Sequence, residues 1–426
     1  MNRTTTGIRP FCKVVLTLLV MAPLPGISQD ITGWYKAGGM PGDNYTETPS
    51  PGRVRDSRYN ERPSSLVTDW RPPATPLRIM NTFVVTTAAD TGAGSLRSAI
   101  ASANGSPGLD RITFSTSGTI NLHSPLPEIT DPIIIDGTTP PAVELNGSQA
   151  GTRANGLVIT AGNSTVRGLA INRFVGIADT GGFGIVLDVN GGNVIEGNYI
   201  GTNLAGTATL PNSSNGIAIS GGSTRNRIGG TTPQARNVIS GNLSGVSVDA
   251  GSPGENVIEG NYIGVSASGT VVLRNFANGI FLDAPRDTIG GLVPGSRNII
   301  SGNVLPGIFV GISASSTVIQ GNYIGTDSSG TLDFGNLQNG VYIDRAPNTL
   351  IGDSTGAGRN VISGNDYPGV YIFGSTAVGT QVLGNYVGIS APGISALGSG
   401  NGIYIDGAVK QLDRRSGCEC KERHLG

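Results

Sequence analysis

Five aspartates recur at one place in a repeated phrase. Asp188, Asp249, Asp283, Asp344 and Asp406 each stand four residues after a glycine, closing "GIVLD", "GVSVD", "GIFLD", "GVYID" and "GIYID". A carboxylate at a strand end can bond the backbone of its own turn. A row of carboxylates on one face can instead hold calcium or sugar hydroxyls. Asp249 and Asp283 fall in consecutive copies, where like charges repel and a cation would be accommodated. Calcium is therefore the one cofactor the pattern leaves open. Two residues before that position, Phe281, Phe309, Tyr342, Tyr371 and Tyr404 fill five successive copies, after Val186, Ala218 and Ser247 in earlier ones. Exposed rings beside carboxylates suit stacking against sugars, and they equally suit cross-strand stabilisation of a sheet.

Other chemistry is sparse. The formal net charge is −1 with 13% charged residues, which argues against electrostatic recruitment of nucleic acid. The stretch "SGGSTRNRIGG" around Gly221 is glycine-rich but lacks the strand, lysine and helix of a phosphate loop. Tyr199, Tyr262, Tyr323 and Tyr386 form a sparser row in "GNYIG" or "GNYVG", each expected to cover its own bend. Arg236, Arg297 and Arg359 recur in "RNVISGN" or "RNIISGN" and are expected to be solvated. Cys12 precedes an apolar run, and Cys418 and Cys420 are too close in sequence to bridge readily.

The elements that carry these residues follow from the spacing. Glycine followed by a branched aliphatic, any residue and a second branched aliphatic begins at Gly156, Gly184, Gly216, Gly245, Gly279, Gly307, Gly340, Gly369 and Gly402. The intervals are 28, 32, 29, 34, 28, 33, 29 and 33 residues, so long and short coils alternate from Gly184 onward. Such intervals are too long for hairpins, which leaves short strands paired in parallel between successive coils. Each coil has three strand-like pieces: "GIAI" or "GVSV", then "NVIEGN" or "NRIGG", then "NVISGN" in short coils and "TVVLRN" or "TLDFGN" in long ones. The expected fold is an all-β, single-stranded parallel β-helix with three strands per coil. About ten coils would make a rod on the order of 50 Å long.

Period-two alternation sends Ile195, Ile280 and Leu282 inward and Val194, Glu196 and Phe281 outward. Asn212, Asn242, Asn275, Asn303, Asn336 and Asn365 close the third piece in six successive coils, and Asn198, Asn261, Asn322 and Asn385 close the second in alternate coils. Asparagine tolerates a left-handed bend and its amide can bond the neighbouring coil, so these residues are expected to form structural ladders.

The ends differ from the repeats. Residues 1–28 have the basic start, apolar run and small residues of a secretory signal peptide, and no downstream run is long enough to span a membrane. Residues 29–80 read as a Pro/Gly-rich linker carrying Trp34 and Trp70. Residues 81–155 hold a strand at Phe83, a short helix capped by Ser95 with Leu96 and Ile100 on one face, and the first coils. Repeats occupy 156–406, and 407–426 form an atypical tail, read as an improvised cap or as the end of a truncated or frame-shifted chain.

The "RNVISGN" and "GNYIG" phrases resemble the right-handed parallel β-helix repeats of bacterial secreted and surface proteins, whose architecture is that of the pectate-lyase-like superfamily. "GSLRSAI" resembles their C-S-L-R-E-A segment at Ser95, Leu96, Arg97 and Ala99, with Gly94 and Ser98 in place of Cys and Glu. The resemblance implies export and acidic polysaccharides as substrates of the enzymatic members. A polygalacturonase-like site would need an Asp pair, a Gly-His-Gly and a substrate-binding Arg and Lys. Only His123 and His424 exist, and lysine is confined to Lys13, Lys36, Lys410 and Lys421. No Asp–Arg cluster suited to a lyase stands out. The sequence therefore leans toward a non-catalytic secreted or cell-surface protein that adheres or binds an extracellular polysaccharide or cell-surface glycan. Its binding residues would be Phe281, Phe309, Tyr342, Tyr371, Tyr404, Asp283, Asp344 and Asp406. A polysaccharide lyase or glycoside hydrolase is the alternative, and a passive rod the third reading.

Overall fold

The computed structural model describes residues 78–138, 143–177, 180–408 and 412–414. The leader, the linker up to residue 77, the tail from residue 415 with its cysteines, and His424 lie outside the described residues.

Three parallel sheets wind around one core. Sheet A has twelve strands from Thr82–Val85 to Leu412–Arg414, sheet B ten from Gly118–Asn121 to Tyr386–Val387, and sheet C nine from Leu157–Ile159 to Ile403–Asp406. The chain passes from C to A to B in each coil, which makes a parallel β-helix of the right-handed kind that parallel crossovers favour. The expected alternation holds. Ile195, Ile228, Ile258, Ile289, Ile319 and Ile351 form a fully buried column in sheet A, while Ile280 and Leu282 enter the core from sheet C. Like side chains thus pack on their own kind at strand spacing, and the core lengthens by one layer per coil.

Glycine precedes each sheet C strand, and before every strand but the last, where Gly402 has open space, a larger residue would collide with its neighbours. A Cβ on Gly279 would lie 2.6 Å from the carbonyl oxygen of Gly307 and 2.8 Å from the Asn303 amide nitrogen.

The asparagine ladders form, and one is longer than expected. Asn212, Asn242, Asn275, Asn303, Asn336 and Asn365 pass amide hydrogen bonds of 2.8–3.4 Å from coil to coil. At the bend between sheets A and B, Asn198, Asn237, Asn261, Asn298, Asn322, Asn360 and Asn385 do the same at 2.9–3.2 Å. The reading of alternate coils is corrected: the asparagine of "RNVISGN" fills the same bend in the short coils.

The third strand of the long coils also differs from expectation. It is the two-residue "YI" of "GNYIG", as at Tyr262–Ile263, and "TVVLRN" belongs to an excursion beyond it. Those excursions close by antiparallel bridges at Thr202–Thr209, Val265–Val272, Thr326–Asp333 and Ile389–Ala396, which accounts for the alternation of coil lengths.

The helix Leu96–Asn104 covers the first coils. Ser95 caps it by accepting the N–H of Ser98 at 3.2 Å, and Leu96, Ala99, Ile100 and Ala103 are buried. Arg97 pairs with Asp90 at 2.6 Å and donates to the carbonyl of Ser124. Among the described residues no helix is long and apolar enough to cross a membrane.

Candidate functional site

Sheet C places the aromatic row where expected, one ring per coil in strict register: Phe281, Phe309, Tyr342, Tyr371 and Tyr404. The rings meet one another. Phe281 and Phe309 stack with centroids 5.2 Å apart and planes 2° from parallel, Tyr342 and Tyr371 at 4.9 Å and 13°, and Phe309 meets Tyr342 edge-on at 85°. Stacked rings give their faces to each other and their edges to solvent. Phe281 heads the row, and on its other side stands the small, buried Ser247.

The aspartates occupy the strand ends in different states. Asp344 pairs with Arg345 at 2.8 Å. Asp406 accepts a hydrogen bond from the Tyr371 hydroxyl at 3.2 Å, and burial followed by this carboxylate pushes the phenol pKa up. The Asp188 carboxylate accepts the N–H of Val189, an expected turn role. Asp249 and Asp283 follow residues paired across adjoining strands, Val248 with Leu282, so the two carboxyls are neighbours. Asp283 accepts the N–H of Ser313 at 2.9 Å. Loss of solvent around the Asp249 carboxyl, then repulsion from Asp283, raises its pKa. These two are the only close pair in the row, and no group of three His, Cys, Asp or Glu gathers at a metal-binding spacing among the described residues.

Sheet A holds a cluster that sequence reasoning missed. Arg111, Asp136, Arg167, Glu196, Arg227 and Glu259 lie on six successive strands and alternate in sign, with contacts of 3.8, 2.6, 3.7, 3.0 and 4.0 Å. Burial would raise the Asp136 carboxyl, yet bonds from Arg167 and Thr138 outweigh it and hold its pKa at about 2. Arg167 is correspondingly raised by its bond to Asp136. Cations committed this way make poor proton acceptors, so the ladder fits construction better than lyase chemistry.

Sheet B corrects the reading of the arginines as merely solvated. The guanidinium carbons of Arg236, Arg297 and Arg359 lie 4.1, 4.1 and 4.2 Å from the ring centres of Tyr262, Tyr323 and Tyr386.

The three sheets and their coil-by-coil register define a parallel β-helix, a solenoid of β-strands. No protein-family model matches the sequence, and no curated protein does. Among solved structures, the A-module of mannuronan C-5 epimerase AlgE6 from Azotobacter vinelandii is similar at 13% identity and TM-score 0.42, over 78% of this chain and 99% of that one. The periplasmic alginate epimerase AlgG is similar at 16% and 0.36, over 72% of this chain and 59% of that one. The enzymatically active domain of bacteriophage CBA120 tailspike protein 2 is similar at 12% and 0.44, over 75% and 44%. These likenesses concern the fold. The expectation of a non-catalytic adhesin or carbohydrate binder is nonetheless corrected, since the neighbours are named as epimerases and an active enzyme domain.

Proposed function

We propose that the chain is an exported polysaccharide-active enzyme, with Asp249 and Asp283 as its catalytic carboxyl pair and Phe281 as the adjoining sugar platform. The observation that carries this reading is the pair of carboxyls at neighbouring strand ends, with the proton favoured on Asp249. Titratable groups in unlike environments divide catalytic roles between them. In glycoside hydrolysis, carboxyls about one strand spacing apart suit the retaining course: Asp249 gives its proton to the departing glycosidic oxygen while Asp283, held by the N–H of Ser313, bonds the anomeric carbon, and Asp249 then takes a proton from the water that releases the sugar. The open side of Phe281, above Ser247, lies two residues from Asp283 on the same face of the strand and suits the apolar face of a pyranose.

The test is release of new reducing ends from a panel of acidic and neutral polysaccharides. Asp249→Asn and Asp283→Asn should each lower turnover by roughly 10²-fold or more with the fold intact. Because the acid must be protonated, activity should fall as pH rises through the raised Asp249 pKa, and Asp249→Asn should remove that limb. A folded protein that turns over none of the panel, or turnover indifferent to both substitutions, overturns the reading.

A further inference from the structure

Most arginines of the solenoid whose contacts are described pair with acids: Arg97, Arg111, Arg167, Arg173, Arg225, Arg227, Arg286 and Arg345 all do. Arg236, Arg297 and Arg359 make no ion pair among the described residues. Each instead donates its Nε to a backbone carbonyl, of Gly260, Gly321 and Gly384 at 3.3, 3.2 and 2.9 Å, while its plane lies over the tyrosine of the next coil. These two contacts fix the guanidinium and leave its Nη edge without a hydrogen bond among the described residues. A fixed planar fork with free N–H groups is prepared for a two-pronged anion, a carboxylate or sulfate.

The surroundings form a site. A cavity of about 200 Å³ on sheet B is lined by both Arg236 and Arg297, with Tyr262 beside them and the hydroxyls of Thr231, Thr232 and Ser328 on its rim. The three arginines recur every second coil, about 10 Å apart at ordinary strand spacing. An extended pyranose chain advances about one strand spacing per sugar, so the row matches the acidic groups of alternate sugars in a linear polymer.

We infer that sheet B carries an anion-selective groove, formed by Arg236, Arg297 and Arg359 on their tyrosines, that binds a linear acidic polysaccharide along the helix axis. It lies on a different sheet from Asp249 and Asp283. Only the glycan partner is carried over from the proposed function, and binding here stands without any turnover there.

Affinity electrophoresis of the full chain in gels containing polygalacturonate, dextran sulfate or neutral dextran tests this. Both polyanions should retard the protein, dextran should not, and added salt should weaken the effect. The combined Arg236→Gln and Arg297→Gln substitutions should weaken polyanion binding about tenfold, since two charge-assisted contacts are lost. Lysine at the same positions keeps the charge without the fork and should lose several-fold. Asp249→Asn should bind like the parent, which separates this site from the catalytic reading. Glutamine variants that melt like the parent and bind polygalacturonate as well as it does would overturn the groove. So would equal retardation by dextran, or lysine variants with full affinity. Competition by single-stranded DNA as effective as by polygalacturonate would overturn the glycan assignment in favour of general polyanion attraction.

Discussion

Asp287 sits where an asparagine would continue a third ladder. Asn193 and Asn226 each bond the next residue of that row at 2.9 Å, and Asn256 donates both its backbone N–H and its side-chain amide to Asp287 Oδ1 at 2.9 Å. The other oxygen of Asp287 is buried without a hydrogen-bond partner, while Thr317 in the next coil turns its hydroxyl to the carbonyl of Ala314. Burial pushes the Asp287 pKa from 3.8 up to about 7, against the opposing pull of Asn256 and Arg286. The folded state therefore keeps a proton that the unfolded chain releases near pH 4. Stability from this group is fully present below about pH 4 and is lost as pH rises toward 7. Asp287→Asn replaces the ionising oxygen with a neutral amide. It should stabilise the protein by about 1–3 kcal/mol at pH 8 and have little effect at pH 4. Thermal melts of both proteins across that range check this, and a difference independent of pH would dismiss ionisation as the cause. The substitution is visible in the sequence only once the ladder is known, because "NVIEG", "NRIGG" and "DTIGG" align through strand register.

At the scale of elements, two ladders run the length of many coils and differ in what they contribute. Asn298 is fully buried, donates to the carbonyl of Ile258 at 2.8 Å and to Asn322 at 2.9 Å, and accepts from Asn261. Asn298→Ala strands buried partners on the coils before and after its own and should cost about 2–4 kcal/mol by chemical denaturation. Arg167→Gln breaks a shorter contact, 2.6 Å to Asp136, in which the arginine is 32% exposed and the carboxylate 8%, and should cost about 1–2 kcal/mol. The reverse order would mean that charge pairing, and not amide bonding, ties the coils together. Much of this was legible from the chain. The glycine interval gave the coils and period two gave the inward columns. The asparagine row was only half legible, because Asn237, Asn298 and Asn360 stand in "RNVISGN" or "RNIISGN" while the coils between them place theirs in "GNYIG" or "GNYVG". The charge ladder was not legible, since its partners alternate in sign and fall 25 to 32 residues apart. The aromatic row was found by spacing, but mutual stacking depends on side-chain rotamers, which no count of residues supplies. The arginine–tyrosine contacts join unlike phrases of consecutive coils and escape any search for like repeats.

At the largest scale, the described solenoid is a one-dimensional stack, and its stability should be distributed accordingly. Each strand touches chiefly the strand before and the strand after, so a coil deep in the stack has two neighbours and a terminal coil has one. The helix Leu96–Asn104 supplies the missing neighbour at the first coils: Leu96 and Ile100 are buried in the same cluster as Ile112, Phe114 and Ile135. Replacing both with alanine removes large side chains that are 1% and 0% exposed, at about 2–5 kcal/mol each. In an array of nearest-neighbour contacts that loss stays local. Hydrogen exchange should accelerate at Asp110–Phe114 and Ile133–Asp136 while protection at Ile280–Leu282 stays near that of the parent. The freed end also exposes apolar side chains and unpaired strand edges, so light scattering should detect self-association. Protection lost equally along the chain would show instead that the coils unfold as one cooperative unit. The cap would then hold the entire solenoid, and the groove on sheet B and the carboxyl pair on sheet C would fail together when it was loosened.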